Sequence, residues 1–251
     1  MKEINQKNSS KNYRMSLRDA VGVFTKEVVN CLFDENFQQE HRERVRNDFF
    51  KILKRLAIKN EVHIWDVFKK SFNEIRKKLD LDAFAAFTKD PAAKSLEEVY
   101  LAYPGFYAIA VYRVSHFLLK LEIPILPRMM SEFAHSVTGT DIHPGAEIGS
   151  LFFIDHATGI VIGETTIIKN NVTIYQGVTL GGIQVHKSLA KTKRHPTIEN
   201  DVVIYANATI LGGDVVVGNH SVIGANVCIT ASVPENSIVT VESENKIFQR
   251  N

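Results

Sequence analysis

Three short polar segments of this chain hold the groups that acyl transfer to an alcohol would need. They are Asp141-Ile142-His143-Pro144, then Asp155-His156-Ala157-Thr158-Gly159 with Gly163-Glu164-Thr165, and finally Lys193-Arg194-His195-Pro196. An alcohol attacks a thioester at neutral pH only if a base takes its proton, and imidazole titrates near that pH. His156 is the expected base, with Asp141 holding its other ring nitrogen and stabilising the imidazolium as it forms. Fifteen residues separate the two, close to one coil of about eighteen in a solenoid, which would set them on adjacent rungs of one face. Arg194 supplies a planar fork for a carboxylate. His143 reads as structural. A thiolate leaving group needs little acid assistance, its parent pKa being roughly 8.5 by analogy with cysteine. Neither Cys31 nor Cys228 lies near these segments, so no covalent enzyme intermediate is expected. Both cysteines stand in apolar contexts and are expected to be buried thiols.

Charge narrows the partners. Thirty basic residues against 28 acids leave a formal charge of +2 over 251 residues, which makes no case for nucleic acid or an anionic membrane surface. No run of apolar residues is long enough to span a bilayer. The opening residues lack the apolar core of a secretory signal, so a cytoplasmic location with reduced thiols is the expectation.

Two kinds of element must position the polar segments. Up to about residue 137 the apolar period is helical. Leu17, Val21, Phe24, Val28 and Leu32 share one face, as do Val45, Phe49, Ile52, Leu53 and Leu56, and then Ile64, Val67, Phe68, Phe72 and Ile75. A longer helix is expected from near Pro104 to Leu121, stopped by Pro124 and Pro127. From Ile142 the period becomes six. Aliphatics recur at Ile142, Ile148 and Ile154, at Ile162, Ile168, Ile174 and Leu180, at Ile198, Ile204 and Ile210, and at Val217, Ile223 and Ile229. That pattern predicts a β-helix, each inward aliphatic stacking on its equivalent one coil away. The register slips by two between Ile154 and Ile162 and by one between Ile210 and Val217. The polar stretch between Leu180 and Ile198, about 183-196, is expected to protrude as a loop. The chain is thus α+β, with a helical domain over 1-137 and a β-helix over 138-251.

Taken together with Val178-Thr179-Leu180-Gly181-Gly182 and Asp90-Pro91-Ala92, the three segments resemble serine O-acetyltransferase in order and spacing. The likeness covers the whole β-helix, and the helical half in length and placement. It implies a left-handed coil, acetyl-CoA and L-serine as substrates, O-acetyl-L-serine as product on the way to cysteine, and no tightly bound cofactor or metal. It assigns Asp90 and Asp155 to the serine ammonium and His195 to the same pocket. Gly182, Ala206 and Ala225 are assigned to acetyl-CoA, with His186, Lys187, Lys191 and Lys193 as candidates for its phosphates. Also implied are a homotrimer or dimer of trimers with sites between prisms, cysteine as a feedback inhibitor, and O-acetylserine sulfhydrylase as a partner.

The chain departs from the family in places. The loop is longer than usual, Ile183 replaces a small hydroxyl residue, and Lys193 stands where Asp is common. The tail lacks the Gly-x-Pro-Ala-Arg turn, leaving Lys246 and Arg250 as substitutes, and it lacks the terminal isoleucine that engages the sulfhydrylase. Three other readings compete. One is an acetyltransferase acting on another hydroxyl, such as a sugar, which would have no use for paired Asp90 and Arg194. Another is a zinc hydratase using His143, His156 and His195, whose Asp and Arg neighbours suit an amino acid better. The last is an assembly scaffold, for which His156 would be dispensable.

Overall fold

The computed structural model describes residues 16–33, 39–183 and 192–242. Among these, six helices come first: α1 (Ser16–Phe33), α2 (Gln39–Arg55), α3 (Glu61–Lys89), α4 (Leu96–Ala102), α5 (Pro104–Lys120) and α6 (Leu126–Thr138). Their apolar stripes meet in one core, where Val21, Phe24, Val28, Val45, Phe49, Ile52, Leu53 and Phe68 are buried. Pro104 opens α5, where its fixed φ suits the first turn and its missing N–H costs no bond. Gly139 closes α6 in the left-handed region, at φ 75°.

The strands wind as a left-handed parallel β-helix of three faces. The first face stacks β1 (Asp141–Ile142), β4 (Val161–Ile162), β7 (Thr179–Gly181), β10 (Thr209–Leu211) and β13 (Cys228–Ile229). The second stacks β2 (Glu147–Ile148), β5 (Ile167–Ile168), β8 (Thr197–Ile198) and β11 (Val216–Val217). The third stacks β3 (Phe153–Ile154), β6 (Thr173–Ile174), β9 (Val203–Ile204), β12 (Val222–Ile223) and β14 (Ile238–Val239). Every aliphatic of the six-residue pattern points inward and is buried. Burying each such side chain contributes roughly 1.5–3 kcal/mol relative to leaving it in water. Cys31 is buried, but Cys228 is exposed, contrary to the expectation from its apolar context. It precedes inward-facing Ile229 and therefore points out.

Register locates both irregularities. Asp141 lies beside Val161, and Val161 beside Thr179, so the first coil is two residues longer than the next. The surplus sits at the corner between the third and first faces, at Asp155–Gly159. The loop expected near 183-196 leaves at the corner between the first and second faces, after Gly181, and returns before Thr197. The corner between the second and third faces is uniform, six residues from strand to strand in each coil. There Asn170 Oδ1 accepts from Ser150 N–H at 3.0 Å, Asn200 Oδ1 from Asn170 N–H at 3.1 Å, and Asn219 Oδ1 from Asn200 N–H at 3.1 Å.

Helices and coil share a continuous core. At Gly105 an added Cβ would meet the Ile154 carbonyl oxygen at 2.2 Å, so only glycine lets α5 lie this close to the third face. The Tyr112 hydroxyl donates to Ala146 O at 2.6 Å and accepts from Ile148 N–H at 3.1 Å. Buried Arg113 donates through Nε to buried Asp82 at 2.5 Å and through Nη2 to Gly149 O at 2.7 Å, and the other Asp82 oxygen accepts Phe152 N–H at 2.9 Å. Burial raises the Asp82 pKa against the opposing pull of Arg113.

Candidate active site

The longer corner of the first coil carries Asp155 and His156. His156 and Ala157 are both left-handed, at φ 59° and 67°, followed by Gly159 at 78°. Two consecutive non-glycine residues in this region store roughly 1–3 kcal/mol each, and such strain gathers at functional positions. Its effect is to turn the His156 side chain outward, where it is exposed, with Nε2 3.6 Å from Asp155 Oδ2. Thr140 Oγ1 donates to Ala157 O at 2.6 Å, tying the residue before Asp141 to the residue after His156.

Asp141 itself is engaged elsewhere. Arg128 of α6 donates to its two oxygens at 2.9 and 3.3 Å, and no bond joins it to His156 among the described residues. Register sets Asp141 beside Val161, the coil being two residues longer at the corner that carries His156.

Asp90 arrives from the helical half. Lys89 Nζ donates to Thr173 Oγ1 at 2.9 Å and to Asn171 O at 3.4 Å, fastening the end of α3 to the third face. Burial lowers the Lys89 pKa while Asp201 raises it. Asp90 follows as the C-cap of α3, its Oδ1 accepting Ala92 N–H at 2.8 Å and its Oδ2 the Tyr103 hydroxyl at 2.5 Å. Tyr103 lies within the electrostatic reach of both Asp90 and Asp155, as does Tyr175. Two carboxylates from distant parts of the chain thus act on the same two phenols, and Asp155 stands next to His156. Tyr175 stacks on Tyr205 at 5.0 Å, one coil further along the same edge.

A second cluster occupies the corner between the first and second faces. Arg194 Nη2 donates to Glu164 Oε2 at 2.5 Å. The Thr165 hydroxyl accepts from the amides of Arg194 (2.8 Å) and His195 (3.1 Å), and His195 Nδ1 accepts from the Thr165 amide at 3.1 Å. An acceptor Nδ1 leaves the proton of the neutral ring on Nε2. Burial and then Arg194 lower the pKa of His195, which favours that neutral form. An added Cβ at Gly163 would meet the His195 ring at 2.1 Å. Gly163-Glu164-Thr165 and Arg194-His195 are therefore one physical unit: a glycine that admits the ring, an acid for the guanidinium and a threonine that grips both amides. The sequence marks Thr165 only as part of a polar segment and gives it no role of its own, because its partners lie across the loop. Gly163→Ala is expected to displace His195 and lower kcat/KM for the hydroxyl acceptor roughly ten- to hundred-fold. Steady-state kinetics with a melting curve as the folding control checks this, and unchanged kinetics would remove His195 from the pocket.

The residues assigned to acetyl-CoA divide between the two corners. Ala206 and Ala225 follow β9 and β12, on the edge of His156, and Asn226 N–H donates to Ala206 O at 2.9 Å. Gly182 follows β7, on the edge of Arg194. Lys193 Nζ is tied to the loop base, donating to His195 O at 2.5 Å and Thr165 O at 3.1 Å. His186, Lys187, Lys191, Lys246 and Arg250 lie outside the described residues. A cavity of about 500 Å³ opens elsewhere, between α3, α5 and the second face, lined by Lys78, Arg113, His116 and Lys169 among others, and it contains none of the site residues. Among the described residues no cluster of His, Cys, Asp and Glu could hold a metal ion, and no helix is long and apolar enough to cross a membrane.

No family model matches the chain. Curated relatives do. A plasmid serine acetyltransferase of Synechococcus elongatus is 49% identical over 186 residues, covering 71% of this chain and 58% of that protein. The serine acetyltransferase of Bacillus licheniformis is 48% identical over 163 residues, 65% of this chain and 73% of the relative. This chain therefore spans under two thirds of the first relative and nearly three quarters of the second. Among solved structures, serine acetyltransferase isoform 3 of Entamoeba histolytica in complex with cysteine superposes with a TM-score of 0.77 at 34% identity, covering 92% of this chain and 84% of that one. The Neisseria gonorrhoeae enzyme in complex with serine gives 0.65 at 28% identity, over 94% and 100% of the two chains. A serine acetyltransferase in complex with CoA gives 0.63 at 29%, over 89% and 95%.

Proposed function

This chain belongs to the serine acetyltransferase family, and on that footing we propose that it transfers acetyl from acetyl-CoA to the hydroxyl of L-serine, giving O-acetyl-L-serine and CoA. The observation that carries the choice of acceptor is that Asp155, next to His156, and Asp90, bonded by Tyr103, share the surroundings of that phenol. A sugar hydroxyl brings no ammonium to neutralise two carboxylates, whereas serine does. His156 takes the hydroxyl proton as the oxygen attacks the thioester carbonyl, and the C–S bond breaks to release CoA thiolate. Asp141, held by Arg128 and tied to this corner through Thr140 and Ala157, adds a negative charge that favours the imidazolium. Arg194, braced by Glu164, and His195 Nε2–H receive the serine carboxylate.

The acids and the base sit on one edge of the first face and Arg194 with His195 on the other. A whole serine site then needs one edge of a prism to meet the opposite edge of a neighbour. That division favours a cyclic trimer. Exposed Val23, Val62, Phe84, Leu101 and Val137 on the helices suit further association into a dimer of trimers. Gly182 of one prism and Ala206 and Ala225 of the next would border the acetyl-CoA groove between them. Cysteine, which differs from serine by sulfur for oxygen, would occupy the same pocket.

The test is release of CoA with L-serine, L-homoserine and a panel of sugars as acceptors, with cysteine added as competitor. L-Serine should exceed the sugars by at least roughly a hundredfold in kcat/KM, because leaving buried or paired ionic groups unmatched is costly. Equal turnover with a sugar would move the enzyme to another acceptor.

A further inference from the structure

We propose that Tyr103 is a positioning residue of the amino-acid site, its phenol fixing the Asp90 carboxylate beside Asp155 so that both receive one ammonium. The inference rests on the reading of serine as acceptor. Asp90 stands in the turn after α3, and among the described residues the other bond of its carboxylate is the Ala92 N–H on Oδ1. Without a second donor its carboxylate could rotate about that contact. The Tyr103 hydroxyl supplies the donor at 2.5 Å on Oδ2.

Tyr103 is suited to this because its own backbone is fixed three ways. It is at once the C-cap of α4 and the N-cap of α5, with its N–H on Val99 O at 3.3 Å. Pro104 follows with its fixed φ. Gly105 then presses the start of α5 against Ile154, the residue before Asp155. The phenol is thus a strut whose foot rests on the face that presents Asp155 and whose tip holds Asp90. Two neighbouring carboxylates repel, and Glu98 adds to the local negative field. A donor on Asp90 offsets part of that repulsion before any ammonium arrives. Burial, reinforced by the bond to Asp90, pushes the Tyr103 hydroxyl up to about 12, so it remains a donor throughout the working pH range.

The experiment compares wild type, Tyr103→Phe, Asp90→Asn and the double variant in steady-state kinetics for both substrates, with thermal melts alongside. Tyr103→Phe is expected to raise the serine KM about five- to twenty-fold, with kcat within about twofold and the acetyl-CoA KM unchanged. In the double variant the phenylalanine should add little to the loss already caused by Asp90→Asn. A merely structural tyrosine would instead lower the melting temperature and disturb both substrates. An unchanged serine KM in Tyr103→Phe, or effects that add fully in the double variant, would overturn the inference while leaving the acceptor assignment standing. Absence of serine-dependent CoA release from wild type would overturn the acceptor assignment, and the role of Tyr103 with it.

Discussion

Replacing His156 with alanine is expected to lower kcat by roughly 10²–10⁴ while the assembly stays intact. The physical reason is that no other described side chain at this corner can accept a proton from an alcohol near neutral pH. In the proposed reaction Asp155 and Asp90 serve the serine ammonium, and Tyr103 already donates to Asp90. Thioester and hydroxyl would still be held together, so the residual rate should exceed that in water, since orientation supplies much of the acceleration. His156 is exposed and packs against little, so its loss should not unfold the coil. Its left-handed backbone does matter, because alanine is strained at φ 59°. His156→Asn is the better matched variant, as asparagine tolerates that conformation and cannot act as a base. Both variants should fall together in kcat, with light scattering unchanged. Turnover near wild type in either would remove His156 from the reaction.

Breaking the Asp82–Arg113 pair should have the largest effect on stability. Asp82→Ala strands a guanidinium whose side chain is 5% exposed and removes the acceptor of Phe152 N–H at the first coil. Removing one partner of a buried pair typically costs about 3–5 kcal/mol. For a chain of this size that corresponds to a fall of roughly 6–20 °C in melting temperature, measured at fixed protein concentration. Asp82→Leu combined with Arg113→Met should recover much of the loss, because it removes both charges and keeps the volume. A melting temperature within about 2 °C of wild type for Asp82→Ala would show that the pair does not pin helices to coil.

Much of this architecture is legible in the sequence because a solenoid is built from local rules. Each inward aliphatic is read from its period, and both register slips mark real corners, the first of them the corner that carries His156. The same rule places Cys228 outside, since Ile229 holds the inward position; apolar context alone misleads there. What period cannot supply is the path of a side chain at an irregular corner. Asp141 and His156 are fifteen residues apart, near one coil of eighteen, but this first coil has twenty, and Arg128 from α6 holds the acid. The part played by Thr165 is not legible because its partners return only after the loop. Asp82 does leave a sequence signal: it is a charged residue among the buried Leu79, Ala83 and Ala86 of α3. Its partner on α5 is set by tertiary packing, which no local pattern records.

The asparagine ladder has a consequence for how such a prism acquires new chemistry. An extra residue on that seam would unzip amide bonds in several coils at once and tilt everything stacked above it. On the other two edges a surplus is absorbed where it occurs, as the Asp155–Gly159 bend and the excursion ahead of Thr197 both demonstrate. One edge acts as a spine held in phase, and novelty is confined to the other two margins.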